Sequence, residues 1–193
     1  MAQRRFHYDQ AFEYYLRAKR VPYVSVDEAR KCLQGQSKLK NFDFVVYGQD
    51  GPNLLVDVKG RKHTGRSRKQ LDNWVTAEDV RDLIKWQAVF GEGFRAAFVF
   101  LYWCESQPPD ALFHELFSFR DRWYAVLTIT VEDYQLHMRQ RSGKWGTVHI
   151  PAANFGRLAE PLMQMTGRCD DTEANSRLTD QGEVPTEMEP AGV

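Results

Sequence analysis

From Phe94 to Trp103 the chain reads Phe-Arg-Ala-Ala-Phe-Val-Phe-Leu-Tyr-Trp, a nearly unbroken apolar run. Its length suits a strand buried on both faces, and strands of that kind sit in sheets covered on either side. This one segment points to an α/β (α+β) fold.

Upstream, Phe42 to Tyr47 and Leu54 to Lys59 have strand composition, and the turn formers Gly48-Gln49-Asp50-Gly51-Pro52 between them predict an antiparallel hairpin. Phe6 to Lys19 repeats Phe6, Tyr8, Phe12, Tyr15 and Leu16 at helical spacing and stops before Val21-Pro22, where proline disfavours helix in its predecessor. Tyr23 to Val26 predicts a short strand, Asp27 to Leu33 a helical turn or two capped by Asp27, and Gly35 to Lys40 a loop. Thr76, with Asp79 three residues on, forms a capping-box start for a helix that runs along Val80, Leu83, Ile84 and Ala88 to Phe90-Gly91. The order to Trp103 is thus helix, strand, strand, strand, helix, strand.

Beyond Trp103 the pattern predicts strands at Leu116 to Phe119, Trp123 to Thr130 and Gly146 to Ile150, and a helix from Val131 to about Gln140. An amphipathic piece, Ala152 to Met165, packs back. A chain of 193 residues with 42% hydrophobic side chains can bury one sizeable core. A single domain is expected over residues 1–166, with a core at about 6–103 and a strand and helix elaboration at about 104–166. Residues 167–193 are acidic and nearly devoid of large apolar side chains, so a disordered tail is expected.

The formal net charge of zero hides an asymmetry. Residues 1–75 hold fifteen Lys and Arg against eight Asp and Glu, whereas residues 168–193 hold two against seven. A basic front half attracts polyanions, and an acidic tail can compete for the same surface. Cys32, Cys104 and Cys169 are scattered without ligand spacing, which argues against a disulfide framework or a zinc site. With no signal peptide and no apolar stretch of membrane-spanning length, a cytoplasmic protein without a membrane partner is the expectation.

Alternation along Leu54 to Lys59 places Leu55, Asp57 and Lys59 on one face, and Asp43 shares a face with Val45 and Tyr47. Asp57 and Lys59 then stand roughly 6.5 to 7 Å apart, with Asp43 within reach from the adjacent strand. Acids and a lysine inside apolar strands are costly to bury unless they are paired or bind a metal. Phosphodiester hydrolysis gives them a use. Two carboxylates hold a hard cation, the cation activates water and polarises the phosphate, and the lysine neutralises developing charge. On the first helix, at about 100° per residue, Asp9 and Glu13 both fall inside the apolar stripe of Phe6, Phe12 and Leu16. Either could present a carboxylate to the sheet.

These stretches resemble the PD-(D/E)xK nuclease superfamily, most of all the archaeal Holliday junction resolvases. The resemblance is carried by Asp9 in the first helix, Ser37-Lys38, Phe42-Asp43-Phe44-Val45-Val46, Leu55-Val56-Asp57-Val58-Lys59, and Asp79 to Gly91 leading into Ala96 to Tyr102. It spans about residues 6–103. The start His7-Tyr8-Asp9 with Phe12-Glu13 is also similar to an uncharacterised bacterial group of predicted nucleases with a His-Tyr-Glu start.

The resemblance implies a restriction-endonuclease-like core and a deoxyribonuclease dependent on Mg²⁺ or Mn²⁺. It assigns Asp43, Asp57 and the carbonyl of Val58 to the metal, Lys59 to catalysis, Asp9 or Glu13 to the helix acid, and Ser37 to the vicinity of the scissile phosphate. DNA is the implied partner, and junction-cutting enzymes, which use two sites, imply a homodimer. Asp in place of the usual resolvase Glu at position 57 shortens that ligand by one methylene, and nothing after about Trp103 has an expected counterpart.

Several residues can be read either way. The basic run Arg61, Lys62, Arg66, Arg68 and Lys69 leaves the proposed site directly and is assigned to DNA contact together with Lys38. Gln87 could point at the site. Arg139, Arg141 and Lys144 form a second basic turn, and the five tryptophans are expected mainly in the core. A nucleic-acid-binding module that keeps the fold without catalysis is the alternative function.

Overall fold

The computed structural model describes residues 2–26, 32–34, 37–64, 71–105 and 113–168, with side chains described from His7 to Val26 and from Leu39 onward within those ranges. The long helix α1 (Ala2–Ala18) is followed by β1 (Tyr23–Ser25), a small hairpin of β2 (Cys32–Gln34) and β3 (Ser37–Leu39), then β4 (Phe44–Val46) and β5 (Asn53–His63). Next come the two-residue β6 (Val75–Thr76), α2 (Ala77–Phe90) and β7 (Phe94–Cys104). The chain continues with β8 (Leu116–Phe119), β9 (Arg122–Thr130), α3 (Val131–His137), β10 (Arg139–Ser142), β11 (Thr147–His149), α4 (Ala152–Leu158) and α5 (Leu162–Met165).

Six strands form one mixed sheet in the order β1-β4-β5-β7-β9-β8. The β5–β7 pairing is parallel and the others are antiparallel. A parallel pair needs a crossover, and α2 supplies it. The apolar run of β7 is central, and Ala96 to Leu101 are fully buried. On one face Ala97, Val99 and Leu101 meet α1 through Phe12 and Leu16, together with Leu54 and Val56 of β5. On the other, Phe98, Phe100 and Tyr102 join Leu55, Val80 and Leu83 of α2 and Tyr134 of α3.

The local signals at α2 act as read. Thr76 Oγ1 accepts from Asp79 N at 3.0 Å, Asp79 Oδ2 accepts from Thr76 N at 3.1 Å, and Gly91 closes the helix at φ 75°. Three expectations change. The loop expected at Gly35 to Lys40 contains β3, which pairs with Cys32 to Gln34, so Cys32 and Leu33 are strand and not helix. The helix from Val131 ends at His137, and Arg139 onward turns into β10, which pairs with β11. The piece from Ala152 to Met165 is broken in two, because Glu160 bridges to Thr128 and Pro161 begins a new turn.

The segments after Trp103 join the main sheet. β9 pairs with β7 along Ala97 to Cys104, and Glu115 accepts hydrogen bonds from Tyr15 Oη and from the backbone N–H groups of Leu162 and Met163. One buried carboxylate thereby fastens α5 to the face that α1 covers. Gly167 packs on Asp50 and Gly51, and Arg168 donates to Tyr47 O at 3.2 Å, so these two positions are ordered parts of the fold. The rest of the expected tail lies outside the described residues.

Candidate active site

The β4–β5 ladder stops at Phe44↔Val56, and Asp43 and Asp57 are the next residues on each strand. Both are buried. Asp43 N donates to Val56 O at 2.8 Å, and Asp43 Oδ2 accepts from Val58 N at 2.6 Å. The carboxylate thus takes the place a strand carbonyl would fill and satisfies an edge donor that the end of β4 leaves without a ladder partner. A strand residue turns its N–H and C=O to the same side, so the Val58 carbonyl also points into the gap beyond β4.

Lys59 is held between two acids. Its Nζ lies 2.7 Å from Asp57 Oδ2 and 3.2 Å from Asp79 Oδ2. Burial opposes the charge, but Asp57, Asp79 and Asp43 outweigh it and hold the ammonium above its ordinary value. Lys59 is therefore cationic across the neutral range, fit for neutralising negative charge and not for taking up a proton. Asp79 is also paired with Lys40 Nζ. Burial works to raise the Asp79 carboxyl, yet Lys59, Lys40 and the Thr76 N–H together hold it well below the usual carboxylate range.

Asp79 and Lys40 are the site residues that the sequence reading missed. Asp79 was legible only as a capping residue, and its second role follows from where α2 docks. The segment at Lys40 is tied to that helix, with Lys40 N donating to Asp82 Oδ2 at 3.2 Å and Trp86 Nε1 donating to Lys40 O at 2.8 Å. A cavity of about 240 Å³ is lined by Lys40, Asp57, Val58, Lys59, Arg61 and Asp79 among others. Three cations and two carboxylates around one small cavity suit an anionic group that arrives with a cation.

The donor set can be tested against a metal. Among the described residues no group of three His, Cys, Asp or Glu converges on one point. The available set is Asp43, Asp57 and the Val58 carbonyl, oxygen throughout. That composition does not suit zinc, and it fits a hard cation of the Mg²⁺ type, which keeps several waters and takes one or two protein carboxylates plus substrate phosphates.

Other expected residues lie elsewhere. α1 covers the sheet face of Leu54 and Val56, whereas Asp57 and Lys59 project toward α2 on the opposite face. Glu13 is committed to Arg17 at 2.7 Å and to Tyr23 Oη at 2.8 Å, as a helix-edge acid; Asp9 is partly buried on the same helix. His7 bonds Tyr124 Oη at 2.6 Å and Arg122 at 2.9 Å, which anchors α1 to β9.

Gln87 does not reach the site: its Oε1 accepts from Ala96 N at 2.7 Å and its Nε2 donates to Glu132, joining α2 to β7 and α3. Arg61 turns inward instead of toward solvent, donating to Gly60 O and Trp74 O with its guanidinium 4.3 Å from the Trp74 ring centroid. Alternation along the extended β5 puts it on the Asp57 and Lys59 face. Lys62 is exposed and paired with Glu105. Ser37 and Lys38 lie in β3, their side chains outside the described residues, as are Arg66, Arg68 and Lys69.

No family model and no curated protein matches the sequence. Among solved structures, the chain is similar to Hjc, a Holliday junction resolvase from the archaeal hyperthermophile Archaeoglobus fulgidus, with a TM-score of 0.50 at 13% sequence identity. The match covers 86% of this chain and 97% of that one, so the likeness extends past Trp103, where no counterpart was expected. The chain therefore has a nuclease fold of the resolvase, restriction-endonuclease-like kind, a mixed sheet flanked by helices.

Proposed function

We propose that this protein is a metal-dependent endonuclease that hydrolyses phosphodiester bonds in DNA. The observation that carries the reading is the largely enclosed ammonium of Lys59, held by the buried Asp57 and Asp79 beside the buried Asp43, at the point where β4 and β5 part and a cavity opens. Support also comes from the fold it shares with a protein that is a Holliday junction resolvase.

In this reading Asp43, Asp57 and the Val58 carbonyl hold Mg²⁺ or Mn²⁺, which supplies the Lewis acidity and the activated water. Lys59, kept protonated, faces the scissile phosphate and stabilises the charge that builds on its oxygens. Asp79 and Lys40 position that ammonium, since the carboxylate bonded to Lys59 is itself fixed by Lys40 and by the capping box. Neither helix acid takes part, because α1 covers the opposite face of the sheet and Glu13 is engaged with Arg17 and Tyr23.

Purified protein is expected to cut DNA with Mg²⁺ or Mn²⁺, and Lys59→Ala to abolish cutting while its circular dichroism stays that of the parent. Cutting by the variant at the parent rate removes the assignment. A second reading, a binding module that keeps the fold without the metal, is favoured by one observation: Lys59 already occupies Asp57 Oδ2 at 2.7 Å. Calorimetric titration with Mn²⁺ separates the two. The nuclease gives a saturable heat that Asp43→Asn and Asp57→Asn each remove, and the binding module gives none.

A further inference from the structure

Trp74 lines the site cavity and also a larger one of about 460 Å³ bounded by Leu71, Arg141, His149, Ile150 and Pro151. That volume lies in the range of small-ligand pockets. The Trp74 segment is firmly held. Asn73 exchanges two hydrogen bonds of 3.0 Å with the Ile150 main chain, Tyr134 Oη donates to Asn73 O at 2.8 Å, and Tyr102 Oη donates to Asp72 O at 3.1 Å. The half-buried Arg61 fixes the indole itself through its stacked guanidinium and its bond to Trp74 O. An aromatic surface fixed this way loses little conformational entropy when something stacks on it.

The second cation beside it is exposed. Arg141 of β10 is 44% exposed, its guanidinium 5.2 Å from the Trp74 centroid, and its ion pair with the exposed Asp72 is long at 3.8 Å. The β10–β11 hairpin is joined to β6 through Thr147↔Thr76 and Val148↔Val75, and Ala77 N donates to Gly146 O. This fastens the hairpin tip beside the first turn of α2, the turn that presents Asp79 to Lys59. At the tip Lys144 lies 5.6 Å from the ring of Trp145, which is 71% exposed. Trp74 with Arg141 beside the site, and Trp145 with Lys144 at the hairpin tip, each pair an aromatic ring with a cation. That combination binds a nucleic-acid strand by stacking on bases and neutralising phosphates.

We propose that the groove lined by Trp74 and Arg141 takes unpaired nucleotides of the substrate strand, with a base against Trp74 and a phosphate on Arg141. The preferred substrate is then DNA with a single-stranded stretch beside the cut. A base inside a continuous duplex is stacked on both sides and cannot reach the indole without leaving the helix. The proposal rests on the nuclease reading of the Lys59 site for its direction, and its test needs no cleavage.

Fluorescence anisotropy of the full chain in EDTA compares a labelled duplex with the same duplex carrying an overhang of about ten nucleotides. The overhang DNA is expected to bind more tightly. Trp74→Ala weakens that binding about tenfold or more, Trp74→Phe retains most of it, and duplex affinity stays within about twofold in both. Equal affinity for the two DNAs, or an equal loss on both with Trp74→Ala, overturns the proposal. Should Trp74→Ala unfold, Arg141→Gln decides: it is expected to lower overhang binding and reduce the salt slope by about one, and an unchanged slope counts against the groove. Loss of overhang preference with Lys59-dependent cutting intact sinks the groove alone. Overhang preference without any cutting sinks the nuclease reading alone.

Discussion

Lys59 lies between two buried acids, Asp57 and Asp79, and Lys40 pairs with the second of them. Replacing Asp79 by Asn keeps the shape while removing the charge that faces both Lys59 and Lys40 and weakening the cap. The loss is expected to be about 3 kcal/mol by urea unfolding. The pH dependence has a definite sign. The Asp79 carboxyl is depressed in the folded protein, so its contribution is complete above its unfolded value, near the ordinary aspartate pKa of about 4, and fades as pH falls through the folded value. Melting temperature measured from pH 6 down to pH 2 should therefore fall less steeply in Asp79→Asn than in the parent. Equal slopes mean that the depression is absent. Lys59 has the opposite sign: its raised folded value makes its contribution complete at neutral pH, with loss only in strong alkali.

The elements bring these residues together by close approaches that tolerate little change. Gly60, directly after Lys59, is where α1 meets β5, and a Cβ at that position would overlap the Tyr8 ring. Because the conflict involves the inner atoms of the ring, Tyr8 cannot simply swing aside, and α1 must shift. Gly60→Ala is expected to destabilise by about 2 kcal/mol in chemical denaturation, and adding Tyr8→Ala should recover part of the loss. Strict additivity of the two changes argues against the contact. The helices themselves were readable, since periodicity and the Thr76 capping box are local signals. Helix α1 shows the limit of such signals. Its apolar stripe was visible, but the stripe does not say which face of the sheet it will cover. It covers that of Leu54 and Val56, and so Glu13 meets Tyr23 and Arg17, not Lys59.

For the molecule as a whole, charge is distributed so that the basic N-terminal half carries the site and the acidic residues gather at the C-terminal end. Residues 169–193 contain one Arg and seven acids, so removing them leaves a chain with net positive charge. Duplex DNA affinity at low salt is expected to rise several-fold on that truncation, with the two proteins converging near 1 M salt, where screening acts within about 3 Å. A binding isotherm series across salt measures this, and an effect that persists undiminished at high salt rules out the electrostatic explanation. Among the described residues no helix is long and apolar enough to cross a membrane.

The Asp43, Asp57 and Lys59 cluster was legible without coordinates because strand alternation and the hairpin turn are short-range properties, fixed within a few residues of chain. The buried run of β7 was legible for the same reason. Asp79 beside Lys59, Lys40 beside Asp79, and Arg61 folded inward onto Trp74 were not. Each joins residues on different elements, and only the docking of α2 on the sheet and of the β10–β11 hairpin on β6 sets their distances. Sequence determines which side chains an element turns to one face. Packing decides what that face meets, because burying apolar area is non-directional and many partners satisfy it until the whole fold selects one.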